Sequence, residues 1–303
     1  MARHGADRHC LLLDGAGLPV ARCSLWWSNP PSFGDERPGL IGHYSALNTM
    51  SAKVLLDGAC EELAARGCSI AIGPMDGSTW RRYRLLTDRG SEPLFFLEPD
   101  NPDDWPGHFT SAAFSPLAHY FSVLNEHLER RDPRAAELAI RAEEAGISIR
   151  QFKRDDFSAE LRKLYGLSVR SFRHNLLYTP ITEEDFISDY MPIEPFVVPE
   201  MVLVAEREGD AVGILFAIPD YLQAQRDEVI DTAILKTIAV HPDWTRMGLG
   251  NLLVERCHEA LVGLGYRRAI YALMHEDNAS LHMAARLGSR IRRYSLFGRA
   301  LAG

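Results

Sequence analysis

The stretch ILKTIAVHPDWTRMGLGNLLVERCHEALVGLGY runs from Ile234 to Tyr266. A β-branched run ends at His241-Pro242 and a loop follows. Gly248 and Gly250 then open a helix whose apolar positions include Leu253, Val254, Cys257, Leu261 and Leu264. Unpaired N–H groups and the positive end of the helix dipole make such a terminus an anion site, and residues without Cβ let a phosphate approach closely. Arg246 adds a charge-assisted contact. The segment reads as a cradle for a phosphate or pyrophosphate; an ordinary loop with a flexible helix start is the alternative. A dinucleotide fingerprint would want glycine where Leu253 stands, and a nucleotide P-loop would want Gly-Lys-Ser/Thr, so both of those cradles fail.

Outward from the cradle, RAIYALM (268 to 274) supplies the next strand, while MVLVAERE (201 to 208) and AVGILFAI (211 to 218) form a hairpin around Glu208-Gly209-Asp210. Helical segments lie around 155 to 172. The first half echoes this order with strand-like ARCSLWW (21 to 27) and LIGHYSAL (40 to 47), a helix from about Ser51 to Arg66, and CSIAIG (68 to 73). The cluster NPDDWPG (101 to 107) reads as an element end, and a charged, Ala-rich helix after Asp132 stops at Gly146. These features divide the chain into domains at 1–145 and 146–303.

A length of 303 residues suits about two domains of roughly 150 residues, and an apolar content of 46% is enough for a sizeable core. With 33 Lys+Arg against 41 Asp+Glu, the net charge of −8 argues against nucleic acid as the main partner. No segment approaches the ~18 apolar residues of a bilayer helix, so no membrane is expected. The start, MARHGADRHC, has no apolar h-region, and five scattered cysteines suit free thiols; a cytoplasmic location is expected.

The run Thr245-Arg246-Met247-Gly248-Leu249-Gly250 resembles the cofactor loop of the GNAT superfamily of acyl-CoA N-acyltransferases, with Thr245 where that family usually has Gln or Arg. HEDNASLHMAARLGS (275 to 289) looks like its second cofactor segment. Pro219-Asp220-Tyr221-Leu222-Gln223 and the run from Gly73 to Trp80 look like those of bacterial proteins built from two GNAT-like halves. The resemblance implies an α/β (α+β) fold of two such halves, each a mixed, mostly antiparallel sheet flanked by helices. It implies transfer of an acetyl or other short acyl group from acyl-CoA to an amine by direct attack in a ternary complex. Ile238, Ala239 and Val240 would pair with the pantetheine arm, and Arg246, Met247, Gly248, Leu249, Gly250 and Asn251 would hold the pyrophosphate. Asn278 and Ser280 would lie near the thioester. The acid that this family often places four residues before its Leu-Gly glycine is Ala284 here. The first half runs from strand to helix through ALNTMSAKVLL without the glycine pair, so it is expected to bind no CoA.

For chemistry, Asp220 at a strand end is the expected base, with a turn-capping role as its alternative. Tyr221 and Gln223 would orient the acceptor, and Tyr221 would serve as the missing acid. Asp76, Ser78, Thr79 and Trp80 would complete the acceptor pocket; the alternative for Trp80 to Arg84 is a solvated basic helix face. The cluster of His275, Glu276, Asp277 and His282 lacks metal-ligand spacing, so no metal is expected. The acceptor expected is a small-molecule or amino-acid-like amine, and the oligomeric state stays open. A non-catalytic acyl-CoA-binding or sensing protein is the competing class, followed by an interaction scaffold.

Overall fold

The computed structural model describes Gly5 to Leu301; the basic start at residues 1 to 4 and the last two residues lie outside the described residues. The first half contributes β1 (Arg8–Leu13), β2 (Pro19–Trp26), β3 (Pro38–Ala46), α1 (Thr49–Ala65), β4 (Ile70–Gly73), β5 (Leu85–Asp88), α2 (Trp105–Ser111) and β6 (Ser115–Asn125). There follow α3 (Ala135–Glu144), β7 (Ile147–Gln151), α4 (Phe157–Phe172), α5 (Glu183–Tyr190), β8 (Val202–Arg207), β9 (Asp210–Pro219) and α6 (Tyr221–Gln225). The chain closes with β10 (Thr232–Val240), α7 (Leu249–Gly263), β11 (Arg268–His275), α8 (Ala279–Ala284) and β12 (Ser289–Ala300).

Among the described residues the strands form one mixed sheet in the order β1-β2-β3-β4-β12-β6-β11-β10-β9-β8-β7, with β5 added on β12. The mixed α/β class and the largely antiparallel pairing agree with the sequence reading. What the sequence does not announce is an exchange at the centre. The last strand of the first half, β6, pairs with β11, while the C-terminal β12 pairs with β4. The two exchanged strands also pair with each other. Each half's ladder is thus continued by a strand from the other. Arg292 and Glu98 seal this junction with a 2.9 Å ion pair whose side chains are both fully buried. The Arg292 guanidinium also donates to the carbonyls of Glu92 and Pro93 at 2.7 and 2.8 Å, which satisfies the charge it buries.

Two elements depart from the expected boundaries. The NPDDWPG cluster does not end an element but begins α2, because Pro106 falls in the first helical turn, where a missing N–H breaks no bond. The run from Trp80 to Arg84 is not helical; Met75 bridges Tyr83 across it instead. Helix α7 packs Leu249, Leu252, Leu253, Val254, Cys257 and Leu261 into the core. Its seat is close, because a Cβ on Gly213 of β9 would stand 3.1 Å from Leu253 Cδ1. Burial pushes the Cys257 thiol up to about 12, as expected of a small core residue rather than a nucleophile.

Candidate active site

Strands β10 and β11 run parallel and pair from Thr232↔Arg268 to Leu235↔Tyr271, then part. Each loses register at that point: β10 between Leu235 and Thr237 against β9, and β11 between Tyr271 and Met274 against β6. A bulge bends its strand and strengthens the local twist, so two bulges side by side splay the strands apart. Leu273, inside the second bulge, is held at a φ of 63°, a left-handed conformation that costs a branched side chain energy. The seam opens into a cavity of about 620 Å³ lined on one side by Lys236, Thr237 and Ile238 and on the other by Ala272 to His275.

At the far end of β10 a 3₁₀ turn, Pro242–Met247, leads to Gly248, whose φ of 82° lets the chain reverse into α7. No side chain caps this helix and its first turn holds no acidic residue, so its leading N–H groups stay free for an anion. The two glycines serve different ends. A Cβ on Gly248 would press 2.7 Å from Leu138 of α3, whereas one on Gly250 would meet nothing closer than Val240 Cγ2 at 3.8 Å. Gly248 is therefore a requirement of backbone and packing, and Gly250 leaves open space above the helix end.

The other expected cofactor residues distribute around this geometry. Ile238, Asn278 and Ser280 line the cavity. Ala239 is buried, and the Val240 carbonyl accepts from Ser171 Oγ at 3.2 Å, which ties α4 to the strand end. Arg246 is exposed, Met247 and Asn251 are half-buried, and Leu249 turns its side chain into the core, leaving only its backbone to a ligand. Ala284 is fully buried, so the position that the family often gives to an acid faces the core.

Of the expected acceptor residues, Thr79 and Trp80 line the cavity, where Trp80 Nε1 donates to the Thr179 carbonyl at 2.8 Å. Ser78 is fully buried, and the Asp76 carboxylate accepts from the His43 N–H at 2.6 Å on the other side of the segment. Asp220, Tyr221 and Gln223 do not line the cavity. Asp220 is 3% exposed, caps α6 through the Leu222 N–H, and accepts from the Phe96 N–H at 2.8 Å. Burial raises its carboxyl above the ordinary range despite these bonds and Arg226. The cause of its placement is a strap, residues 92 to 98 of the first half, that crosses onto the second half and covers the strand end. Gln223 is spent on Asp231 and Thr232, and the Tyr221 hydroxyl donates to the Phe196 carbonyl.

The group that sequence reading passed over is Lys236. It lies at the β10 bulge, lines the cavity, and donates to the Leu97 carbonyl at 2.9 Å. Burial first and the nearby Arg84 second push its ammonium down to about 7, against an opposing pull from Glu98. Its signal was a lone charge inside the β-branched run ILKTIAV. Two further polar atoms belong to cavity-lining residues and lack partners among the described residues: Tyr178 Oη and His275 Nε2. Among the described residues no three His, Cys, Asp or Glu side chains converge to hold a metal ion, and no helix is long and apolar enough to cross a membrane.

Comparison with known proteins agrees with this geometry. Residues 163–288 match the Acetyltransferase (GNAT) family. No curated protein sequence matches. A glucosamine N-acetyltransferase region related to GCN5, in a fungal multi-domain β-N-acetylglucosaminidase, is 15% identical with a TM-score of 0.56; the alignment covers 96% of this chain and 33% of that one. This chain thus spans about a third of the fungal protein. A GCN5-related N-acetyltransferase from Sphaerobacter thermophilus is 13% identical with a TM-score of 0.53, covering 97% and 81%. A tandem GNAT protein from the clavulanic acid biosynthesis pathway is 11% identical with a TM-score of 0.51, covering 99% and 85%. At these identities the likeness is one of fold. The family match spans the splayed seam, and over nearly the whole chain the fold is similar to that of GCN5-related and tandem GNAT proteins.

Proposed function

We propose that the second half is an acyl-CoA N-acyltransferase that moves an acetyl or other short acyl group onto a small-molecule or amino-acid-like amine. The observation that carries this reading is the continuity of the parted β10/β11 seam with the uncapped N-terminus of α7. An extended amide-bearing arm pairs naturally with an open strand edge, and a diphosphate suits free helix N–H groups. The acceptor would enter past Trp80 and Tyr178. Its nitrogen attacks the thioester carbon, the C–N bond forms, the C–S bond breaks and the thiolate leaves. Lys236 takes the proton released by the amine; a base that titrates near 7 is matched to that task at neutral pH. A thiolate whose conjugate acid has a pKa near 8.5 leaves without an obligatory acid, which accommodates Ala284. Thus Lys236 replaces Asp220 and Tyr221 in this proposal, since neither lines the cavity.

The test is calorimetric titration of acetyl-CoA. Wild type is expected to bind one equivalent per chain, and Gly250→Glu, which has room to fold, is expected to bind at least about 100-fold more weakly through lost space and like charge. Equal affinity in the two proteins overturns the assignment. The buried Ala284 favours one second reading, an acyl-CoA-binding protein without turnover. Thiol release above the uncatalysed rate with any member of an amine panel excludes it.

A further inference from the structure

A second cavity, of about 630 Å³, lies wholly in the first half. Its wall carries His9, Arg22, His43, Arg82 and Arg84 against one carboxylate, Asp76, in a chain whose overall charge is −8. That carboxylate is already engaged by His43, through the backbone N–H at 2.6 Å and the ring at 3.9 Å. His9 and His43 each set Nδ1 on Ser24 Oγ, at 2.8 and 3.0 Å, which fixes both rings on the cavity wall.

Arg84 is the unusual member. It is 8% exposed, yet Nε and Nη1 meet no acceptor among the described residues. Its guanidinium instead stacks on the rings of Tyr83 and Tyr120, 4.1 Å from each centroid. Guanidinium ions enter protein interiors with a carboxylate or phosphate as partner, because burying the charge alone is costly. The backbone is strained at the same place: Arg84 has a φ of 67° and His43 a φ of 45°, both left-handed in residues with a side chain. Strain held by the surrounding structure collects at ligand sites.

We infer that this first-half cavity is a binding site for a small organic anion, a carboxylate or phosphate compound, held on Arg84. The planar fork of the guanidinium suits either group, and stacking on two tyrosines orients it in advance. The cavity is distinct from the acyl-transfer cleft but borders it: Tyr83 lines both, Tyr120 beneath the Arg84 guanidinium lines the cleft, and the Arg84 charge acts on Lys236 there.

Calorimetric titration with inorganic phosphate and, separately, with glutarate, in buffer free of other anions apart from chloride, tests the inference. One arm or both is expected to show saturable binding of one equivalent, and the arm that responds identifies the headgroup. Arg84→Met is expected to weaken that binding at least tenfold while the anion-free protein unfolds at the same temperature or higher, since an unpaired charge has been removed. A crystal of wild type soaked in the responding anion should show it within hydrogen-bond distance of Arg84, which decides the matter even if the variant does not fold. Absence of binding in both arms, equal binding by the variant, a lowered melting temperature in the variant, or an anion seated away from Arg84 overturns the site.

Discussion

The molecule contains the same junction twice, and only one copy is open. In the second half β10 and β11 part after Leu235 and Tyr271; in the first half β3 and β4 pair in parallel as far as Leu40 and Ile72. Where β10 places Lys236 next, β3 places Ile41, whose carbonyl accepts the Met75 N–H at 2.8 Å. The chain after β4 thereby closes the seam. Glycines make the closure tight: a Cβ on Gly42 would stand 2.3 Å from the Met75 carbonyl oxygen, and one on Gly73 would stand 2.7 Å from the Ile41 oxygen. The helix ends differ in the same sense. Gly248 leaves α7 uncapped, whereas Asn48 Oδ1 accepts the Ser51 N–H of α1 at 2.9 Å, occupying a donor that an anion would need. A shared topology thus leaves the ligand question to a few backbone contacts.

The largest effect is expected at the residue that only the open junction has. Lys236→Met should lower turnover by about 10²- to 10⁴-fold with acyl-CoA affinity largely kept, as removal of a proton acceptor does. In wild type the rate should fall as pH drops below about 7, where Lys236 becomes charged, and the variant should lose that limb. The sign for stability follows from the same shift. Because the folded-state value is depressed, the unfolded chain binds the extra proton above about 7, so this group's contribution makes the fold more stable as pH rises from there toward the ordinary lysine range. A pH-independent rate between 6 and 8 (~ ordinary assay range) would count against Lys236 as the base.

Next is the closed junction itself. Gly42→Ala drives a methyl into the Met75 carbonyl and should cost about 3 kcal/mol in denaturant unfolding, whereas Gly250→Ala, with room around it, should be neutral or stabilising by up to about 1 kcal/mol. Similar effects at the two sites would erase the distinction drawn between them. Asp220→Ala removes the acceptor that holds the strap through Phe96 and should cost about 1–3 kcal/mol while leaving turnover within a few-fold. A loss of rate without a loss of stability would restore Asp220 as a catalytic group. The smallest effect belongs to Asn48→Ala, about 1 kcal/mol of helix capping, with acetyl-CoA stoichiometry staying at one because the seam above remains shut. A second equivalent bound would mean that the cap alone excludes CoA.

The parts of the site that the sequence made legible are those built from neighbours in the chain. The loop from His241 to Gly250 and the apolar face of α7 are local patterns, and they appear where the spacing predicts them, except that Leu264 lies past the helix end and is exposed. Thr79 and Trp80 were also placed in the cavity wall, though as part of an irregular segment rather than a helix. Asp220 illustrates the other case. Its Pro turn suggested a cleft, but Phe96, 124 residues earlier, brings a backbone N–H to it and covers the strand end. Lys236 carried a legible oddity in its strand, while its depressed proton affinity depends on burial and on Arg84, which no local pattern brings near.

By itself the sequence determined the strand–helix–strand order within each half and the glycine-opened start of α7, since periodicity, glycine conformation and helix polarity act within a few residues of chain. The tertiary structure decided which of the two junctions stays open, which polar groups are spent on packing, and that β6 and β12 change places at the centre of the sheet. Those outcomes depend on hydrogen bonds and burial between segments far apart in the chain, and a buried polar group takes its role from whichever distant partner satisfies it.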